Sequence, residues 1–504
     1  MKKYKDTKKT YLCSMRKILF AGALLACLGL QAQTLQQQVD RAVSREPLAG
    51  AVVGVMVQDM SGHVLARREA GRRMVPASNQ KLVTTGTALH ALGPDFRFKT
   101  EIGYTGTVDE DGTLHGDVYI VGGGDPTIGV TDSIAVSSDA LFWRWKSFLK
   151  DAGISRIDGR IIGDGRAYEG HLENQSWSYD DTGTYYGAGC NALSFYANAV
   201  DYSVSAGAEG EPVKVIQRYP DTPWMHFGNL TVTGPKGTGN SLYLYTTDLA
   251  PYAEMRGTYA VDRKPKTEHF ANKYGALTCA FYFWQNLRAT GWEVSGGYAD
   301  IDRGGYVRGS GFVPADKAGT PRTIDTSYSP ALSKIVRETN VRSDNFYAES
   351  LARQMGERAS GIAVYDSCRV AMYDVVKGLM GADALSGLRL EDGSGLSRLN
   401  TLSPQFMASF LRAITRSRGF ESFLASLPKP GEGTLSGLLP KLPKDQKERL
   451  RLKSGSMDGV LCYSGYVLDG EGNPQYVFSL MVNGATAKTA VLRDTLGTLI
   501  EAML

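Results

Sequence analysis

Three short strings, and above all the gap between the first two, constrain how this chain can fold. They are Ser78-Asn79-Gln80-Lys81, Ser343-Asp344-Asn345 and Lys453-Ser454-Gly455. Together they hold a hydroxyl nucleophile, two amines, a second hydroxyl and an amide. That set suits acyl transfer without histidine, cysteine or metal. If the strings act together, the chain leaves after Ser78, runs 265 positions, and returns at Ser343. A host domain carrying a large insertion does this, because an inserted segment can begin and end at neighbouring points.

The first string is weak alone. S-x-x-K occurs at Ser14, Ser78, Ser147 and Ser426, whereas S-x-N occurs once, at Ser343, and K-[ST]-G once, at Lys453. Context selects Ser78. Ser14 falls in an N-terminal export-like segment. Pro428 interrupts the Ser426 string and obstructs a helix. Ser147 lies on an apolar helical pattern with Leu141, Phe142, Trp145, Phe148 and Leu149, where Lys150 reads as a surface residue. Ser78 opens a run with Leu82, Val83, Leu89 and Leu92 at helical spacing, ending at Gly93, which puts Ser78 and Lys81 on one face. Each string has an ordinary reading too: a helix cap for Ser78, a capping turn for Ser343 to Asn345, a strand-edge lysine for Lys453. Their joint order favours catalysis.

Composition is that of a globular protein: 504 residues, 42% hydrophobic and 21% charged, room for two or three domains. The formal charge of +4 comes from the first 33 residues, which hold seven Lys or Arg and one acid. No basic patch follows, which argues against nucleic acid as a partner. Residues 1–33 read as a signal peptide, with an apolar core from Ile18 to Leu30 too short for a membrane span. Cys27 faintly fits a lipoprotein site, but Leu28 to Leu30 continue the apolar core past it. A periplasmic location without an integral span is expected. Cys190, Cys279, Cys368 and Cys462 remain after the leader; they read as buried thiols, with three disulfide pairings open in an oxidising compartment. No metal-ligand spacing occurs, and no cofactor is expected.

Strand patterns at 51–58 and 64–67 precede the Ser78 helix. Near the other end, strands over 461–468 and 475–482 follow the one carrying Lys453, and a helix spans 487–504. First and last segments therefore share a sheet with helices packed on it. Between Phe96 and Ile324 the chain is rich in Gly, Tyr, Thr and short β-patterned runs with dense turns. The organisation expected is residues 34–95 as the first part of the host, 96–325 as inserted and mostly β, with about 208–270 a nested subdomain, and 326–504 as the second part. Trp177 with Tyr179 and Tyr185 with Tyr186 read first as buried packing, with a sugar or peptide cleft as the alternative.

The ordered triple resembles the penicillin-recognising serine enzymes. The long first gap, with Glu391-Asp-Gly-Ser-Gly-Leu-Ser-Arg398, Pro428 to Leu435 and Lys453 to Val460, is similar to D-Ala-D-Ala carboxypeptidases and endopeptidases of the penicillin-binding protein 4 type, family S13. The resemblance implies an α/β (α+β) fold: a β-lactamase/transpeptidase-like domain with a five-stranded antiparallel sheet flanked by helices, and large mostly-β insertions between the first two motifs. It implies Ser78 as nucleophile, Lys81 as base, Ser343 as proton relay to the leaving amine, and Asn345 as a partner of Lys81 and of a substrate amide. It further implies that Lys453, beside Ser454 and Gly455, attracts the substrate carboxylate. It also implies that the backbone N–H groups of Ser78 and Ser456 form the oxyanion hole and that Arg398 contacts the free carboxylate of a diamino acid; bottom-up, Arg398 reads equally as a solvated loop residue. Ser454 stands where the family usually has threonine and keeps the hydroxyl.

Lys81 can act as a base only when neutral, so its pKa must fall from about 10.4 toward about 7, a cost of about 4–5 kcal/mol. Burial and the second cation, Lys453, are the expected causes. The implied partners are peptidoglycan stem peptides, with β-lactams as inhibitors; the oligomeric state is not legible. Two rivals stand beside this reading. One is a β-lactamase or esterase on the same scaffold. The other is a non-catalytic peptidoglycan-binding envelope protein.

Overall fold

The computed structural model describes residues 35–44, 46–302 and 312–504, so the expected signal peptide lies outside the described residues. The chain forms two compact units. One combines residues up to Pro76 with Leu402–Ala413 and Pro428–Leu504; the other combines Ala77–Thr401 with Ile414–Leu427.

The first unit is built on five strands: β1 (Val52–Asp59), β2 (Val64–Arg68), β3 (Leu450–Met457), β4 (Val460–Leu468) and β5 (Pro474–Asn483). Their order is β3-β4-β5-β1-β2, antiparallel throughout, so the two ends of the sequence meet where β1 pairs with β5. This is the expected five-stranded sheet. Strand alternation sends Val53, Val55 and Val57 of β1, with Phe478, Leu480 and Val482 of β5, to one face. There they pack with Leu492, Leu496 and Ile500 of the helix Thr489–Glu501 and with Leu35 and Val39 of a helix over 35–43. The other face is covered closely. A Cβ at Gly54 would lie 2.6 Å from Pro404 Cγ and 2.7 Å from Met74 Sδ, so the helix Pro404–Ile414 sits directly on β1 only because residue 54 has no side chain.

The second unit combines helices with several sheets. Six strands in the order Phe312–Pro314, Tyr298–Asp302, Ile161–Asp164, Val118–Gly122, Lys99–Tyr104 and Arg322–Tyr328 carry an apolar core. That core includes Ile102, Ile120, Ile161, Trp145 and Phe283, the last two from the helices Ser138–Asp151 and Gly275–Ala289. Smaller three-stranded sheets follow between Ala199 and Ala271. The helical part holds α1 (Lys81–Leu92), α2 (Leu332–Arg342), α3 (Asn345–Ser360) and α4 (Tyr365–Met380). The last three all pack on α1, which is why α1 is buried nearly all round. Cys190, Cys279, Cys368 and Cys462 are free and buried, and burial pushes the thiols of Cys190, Cys368 and Cys462 up to about 12, so they stay protonated. Among the described residues no helix is long and apolar enough to cross a membrane.

Candidate active site

The nucleophile candidate sits on a strained turn. Ala77 has φ +46°, a left-handed value that a non-glycine residue rarely adopts. Gly395 leaves room for it: a Cβ there would lie 2.1 Å from the Ala77 carbonyl oxygen. Residues Ala77–Gln80 then form a 3₁₀ turn that runs into α1. In a 3₁₀ turn side chains three apart eclipse, so the S-x-x-K spacing aims Lys81 at Ser78. The Lys81 Nζ lies 3.1 Å from Ser78 Oγ. Ser78 is half-buried, while Lys81 is fully buried. Ser78 therefore lies in the turn ahead of α1, and the N-cap position falls to Gln80, which makes no side-chain cap bond.

Lys81 has three N–H donors and three acceptors: Ser78 Oγ, Asn345 Oδ1 at 2.6 Å and the Ser394 carbonyl at 2.7 Å. Burial lowers its pKa to about 8, against the opposing charges of Asp392, Glu349 and Asp344. Burial is thus the cause of the lowering. In the neutral amine the two short bonds persist and the longer contact reverses, with the Ser78 hydroxyl donating to Nζ. That is the geometry a general base requires.

The second motif joins α2 to α3. Ser343 ends α2 in the left-handed region, at φ 59° and ψ 38°, and Asp344 caps α3 by accepting the Tyr347 N–H at 2.9 Å. Asp132 clamps both sides of the motif: it ion-pairs with Arg342, and its Oδ2 accepts the Tyr347 hydroxyl at 2.7 Å. Asn345 donates to the Tyr186 carbonyl at 3.1 Å. The turn that carries Tyr186 is stapled by Lys273, which is fully buried, donates to the Gly187 and Ala188 carbonyls and pairs with Glu173 at 2.8 Å.

The loop 391–400 completes this group. Glu349, one turn beyond Asn345 on α3, accepts the N–H groups of Gly393 and Ser394, which positions the Ser394 carbonyl on Lys81. Burial raises the Glu349 pKa to about 7. Asp392 is buried and accepts from Gln80 Nε2, Gly395 N, Asn400 Nδ2, Trp177 Nε1 and Ser397 N at 2.7–3.1 Å. Replacing it by alanine takes an acceptor from all five; Gln80 and Asn400 keep the backbone carbonyls of residues 392 and 397, whereas the N–H groups of Gly395, Ser397 and the Trp177 ring lose their bond to it, so Asp392→Ala should cost about 3–5 kcal/mol. The expected outcome is a melting temperature lower by roughly 5 °C, at about 1.4 °C per kcal/mol for a unit of this size, measured by calorimetry. Arg398 is exposed on this loop, and its charge acts on the half-buried Asp181, which accepts a hydrogen bond from the Tyr186 side chain.

Lys453, Ser454, Gly455 and Ser456 lie on β3, the edge strand of the first unit. Leu450 and Leu452 face the apolar core, so the alternation puts the Lys453 side chain on the opposite face. It is fully buried and donates to the Ser454 carbonyl at 2.7 Å. The Leu452 N–H points off the sheet edge to the Pro428 carbonyl at 3.0 Å. By the same two-residue period the N–H groups of Ser454 and Ser456 point outward too. The Ser454 hydroxyl pairs with Thr434 at 2.9 Å.

Residues 35–501 match the model of the D-Ala-D-Ala carboxypeptidase 3 (S13) family. The chain belongs to this family. As an S13 peptidase it is a serine-type carboxypeptidase. Curated relatives include the D-alanyl-D-alanine carboxypeptidase of Actinomadura sp. strain R39, 29% identical over 92% of this chain and 83% of that one. A second is D-alanyl-D-alanine carboxypeptidase DacB of Haemophilus influenzae, 22% identical over 86% of each. The crystal structure of penicillin binding protein 4 (dacB) from Haemophilus influenzae superposes with a TM-score of 0.75 at 23% identity, covering 94% of this chain and 99% of that one, so the S13 peptidase shares its fold.

Sequence reasoning did not find Glu349, Asp392, Asp132 or Lys273. Only Glu349 carried a signal, its four-residue spacing from Asn345 on one helix face. The aromatic segments divide. Trp177 is buried as expected, whereas Tyr179 and Tyr185 are exposed, because Tyr179 stands on the rim of an open groove.

Proposed function

We propose that this S13 peptidase forms an acyl-enzyme at Ser78 with peptides ending in D-Ala-D-Ala, releases D-Ala and hydrolyses the ester, and that it also cleaves peptide crosslinks. The observation that carries the reading is the fully buried Lys81, held by Asn345 and Ser394 with its Nζ 3.1 Å from Ser78 Oγ. Lys81 takes the Ser78 proton, and Ser343 passes a proton to the leaving amine. The N–H groups of Ser78 and Ser456 receive the oxyanion, each such donor being worth roughly 3–4 kcal/mol. Lys453, with Ser454 and Gly455, receives the terminal carboxylate. Arg398 and Asp181, opposite charges acting on each other, suit the zwitterionic end of a diamino acid. We further propose export by residues 1–33 to the periplasm, with penicillins acylating the same serine.

The test is D-Ala release from a soluble pentapeptide with a diamino acid at position three, beside cleavage of a crosslinked dimer. Wild type should release D-Ala. Arg398→Ala should raise KM about tenfold on that peptide, and leave KM unchanged when the diamino acid's free end is blocked. Penicillin hydrolysis that outpaces D-Ala release would favour the β-lactamase alternative.

A further inference from the structure

An open groove of about 810 Å³ lies in the second unit; it shares Glu173 and Trp177 with the supports of the candidate active site but none of the residues assigned to the reaction itself. This is within the range of about 300–1,000 Å³ usual for ligand sites. Its apolar lining is aromatic: Trp177, Tyr179, Tyr245 and Tyr252. Tyr179 is 73% exposed and Tyr252 46%, so both present open faces to solvent. The rings are also held in place. Tyr179 and Tyr245 lie 5.8 Å apart, Tyr243 packs on Tyr245 at 4.7 Å, and the Tyr243 hydroxyl donates to the Tyr179 carbonyl at 2.8 Å.

The carboxylates in the lining are already paired. Glu173 pairs with Lys273 at 2.8 Å and Glu254 with Arg256, and the His171 ring lies 3.5 Å from Asp248. The rest of the polar lining is amide and hydroxyl, such as Gln175, Thr246 and Thr247. A stem peptide carries carboxylates and ammonium groups, and this groove offers them no uncommitted counter-charge. A pyranose has a flat C–H face for an aromatic ring and a rim of neutral donors and acceptors for amides and hydroxyls.

The groove is tied to the loop that holds Lys81. Asn174 donates to the Glu391 carbonyl at 2.5 Å, Ser176 to Ser397 at 2.6 Å and Trp177 to Asp392 at 2.8 Å. We propose that this groove binds the neutral N-acetylated sugar strand of peptidoglycan, so that a glycan-borne stem peptide is preferred over a free one. The proposal rests on the carboxypeptidase reading for its substrate.

Two measurements test it on the full chain. The first is isothermal titration with the tetramer of N-acetylglucosamine, which needs no activity. Wild type should bind, and Tyr179→Ala and Tyr252→Ala should each weaken binding about tenfold, while Tyr179→Phe, which keeps the ring, should not. The second is the ratio of kcat/KM on a disaccharide-pentapeptide to that on the sugar-free pentapeptide, which Tyr179→Ala should lower about tenfold. A wild type that ignores the tetramer, or an alanine variant whose ratio is unchanged, overturns the groove. Release of D-Ala from neither substrate by wild type instead overturns the carboxypeptidase reading, and the titration alone then decides the groove.

Discussion

Ser78→Ala should abolish covalent labelling by a fluorescent penicillin and cut D-Ala release by about 10⁴-fold or more, with the melting temperature nearly unchanged. The size follows from chemistry: without the hydroxyl no acyl-enzyme forms, and only binding and oxyanion stabilisation remain. The small effect on stability follows from structure. Ser78 is half-buried, and its contact with Lys81, at 3.1 Å, is the longest of the three made by that amine. Alanine also keeps the backbone turn, whose strain sits at Ala77. A labelled band that survives the substitution would assign the nucleophile to another residue. A wild type that never labels and turns over neither penicillin nor peptide would leave the non-catalytic alternative standing.

Lys81→Met should lower acylation by penicillin about 10³-fold, within the range usual for loss of a general base. In wild type the acylation rate should rise about tenfold per pH unit below about 8 and level off above it, because only the neutral amine accepts the Ser78 proton. At pH 7 roughly a tenth of the molecules hold that form. Stopped-flow measurement of the acylation rate from pH 6 to 9.5 checks both. A flat profile, or a methionine variant that keeps the slope, would remove Lys81 from the proton transfer. The linkage has a defined sign. A lysine whose folded pKa lies below its unfolded value near 10.5 destabilises the fold fully below about 8, and that cost is relieved as pH rises from about 8 to 10.5.

Much of the site was legible in sequence because its chemistry is local. Ser78 and Lys81 are one 3₁₀ turn apart, so their contact needs no tertiary information. Ser343 and Asn345 bracket a helix start, and their string, taken in order with the other two and with the family resemblance, suggested a relay and an amide partner. The cause of the lowered Lys81 pKa was less legible. A second cation was expected to contribute, yet burial under α2, α3 and α4 is the leading cause, and burial is a property of packing. Asp392 and Lys273 were missed for a similar reason. Asp392 gathers the side chains of Gln80 and Trp177, and Lys273 the carbonyls of Gly187 and Ala188, and the sequence does not announce partners so far off.

The sequence by itself supplied the candidate reacting groups, the five-strand pattern at the two ends of the chain and the long stretch of short β-patterned runs between the first two motifs. Motif spacing and residue periodicity record these, since both are properties of adjacent residues. Tertiary structure alone decided that Lys81 is buried with Ser78, Asn345 and Ser394 as its acceptors, that Ala77 at positive φ is approached closely by a glycine more than 300 positions later, and that Tyr179 faces open space while Trp177 does not. Those outcomes depend on which distant surfaces meet, and desolvation, steric exclusion and ring exposure come into being only with that meeting.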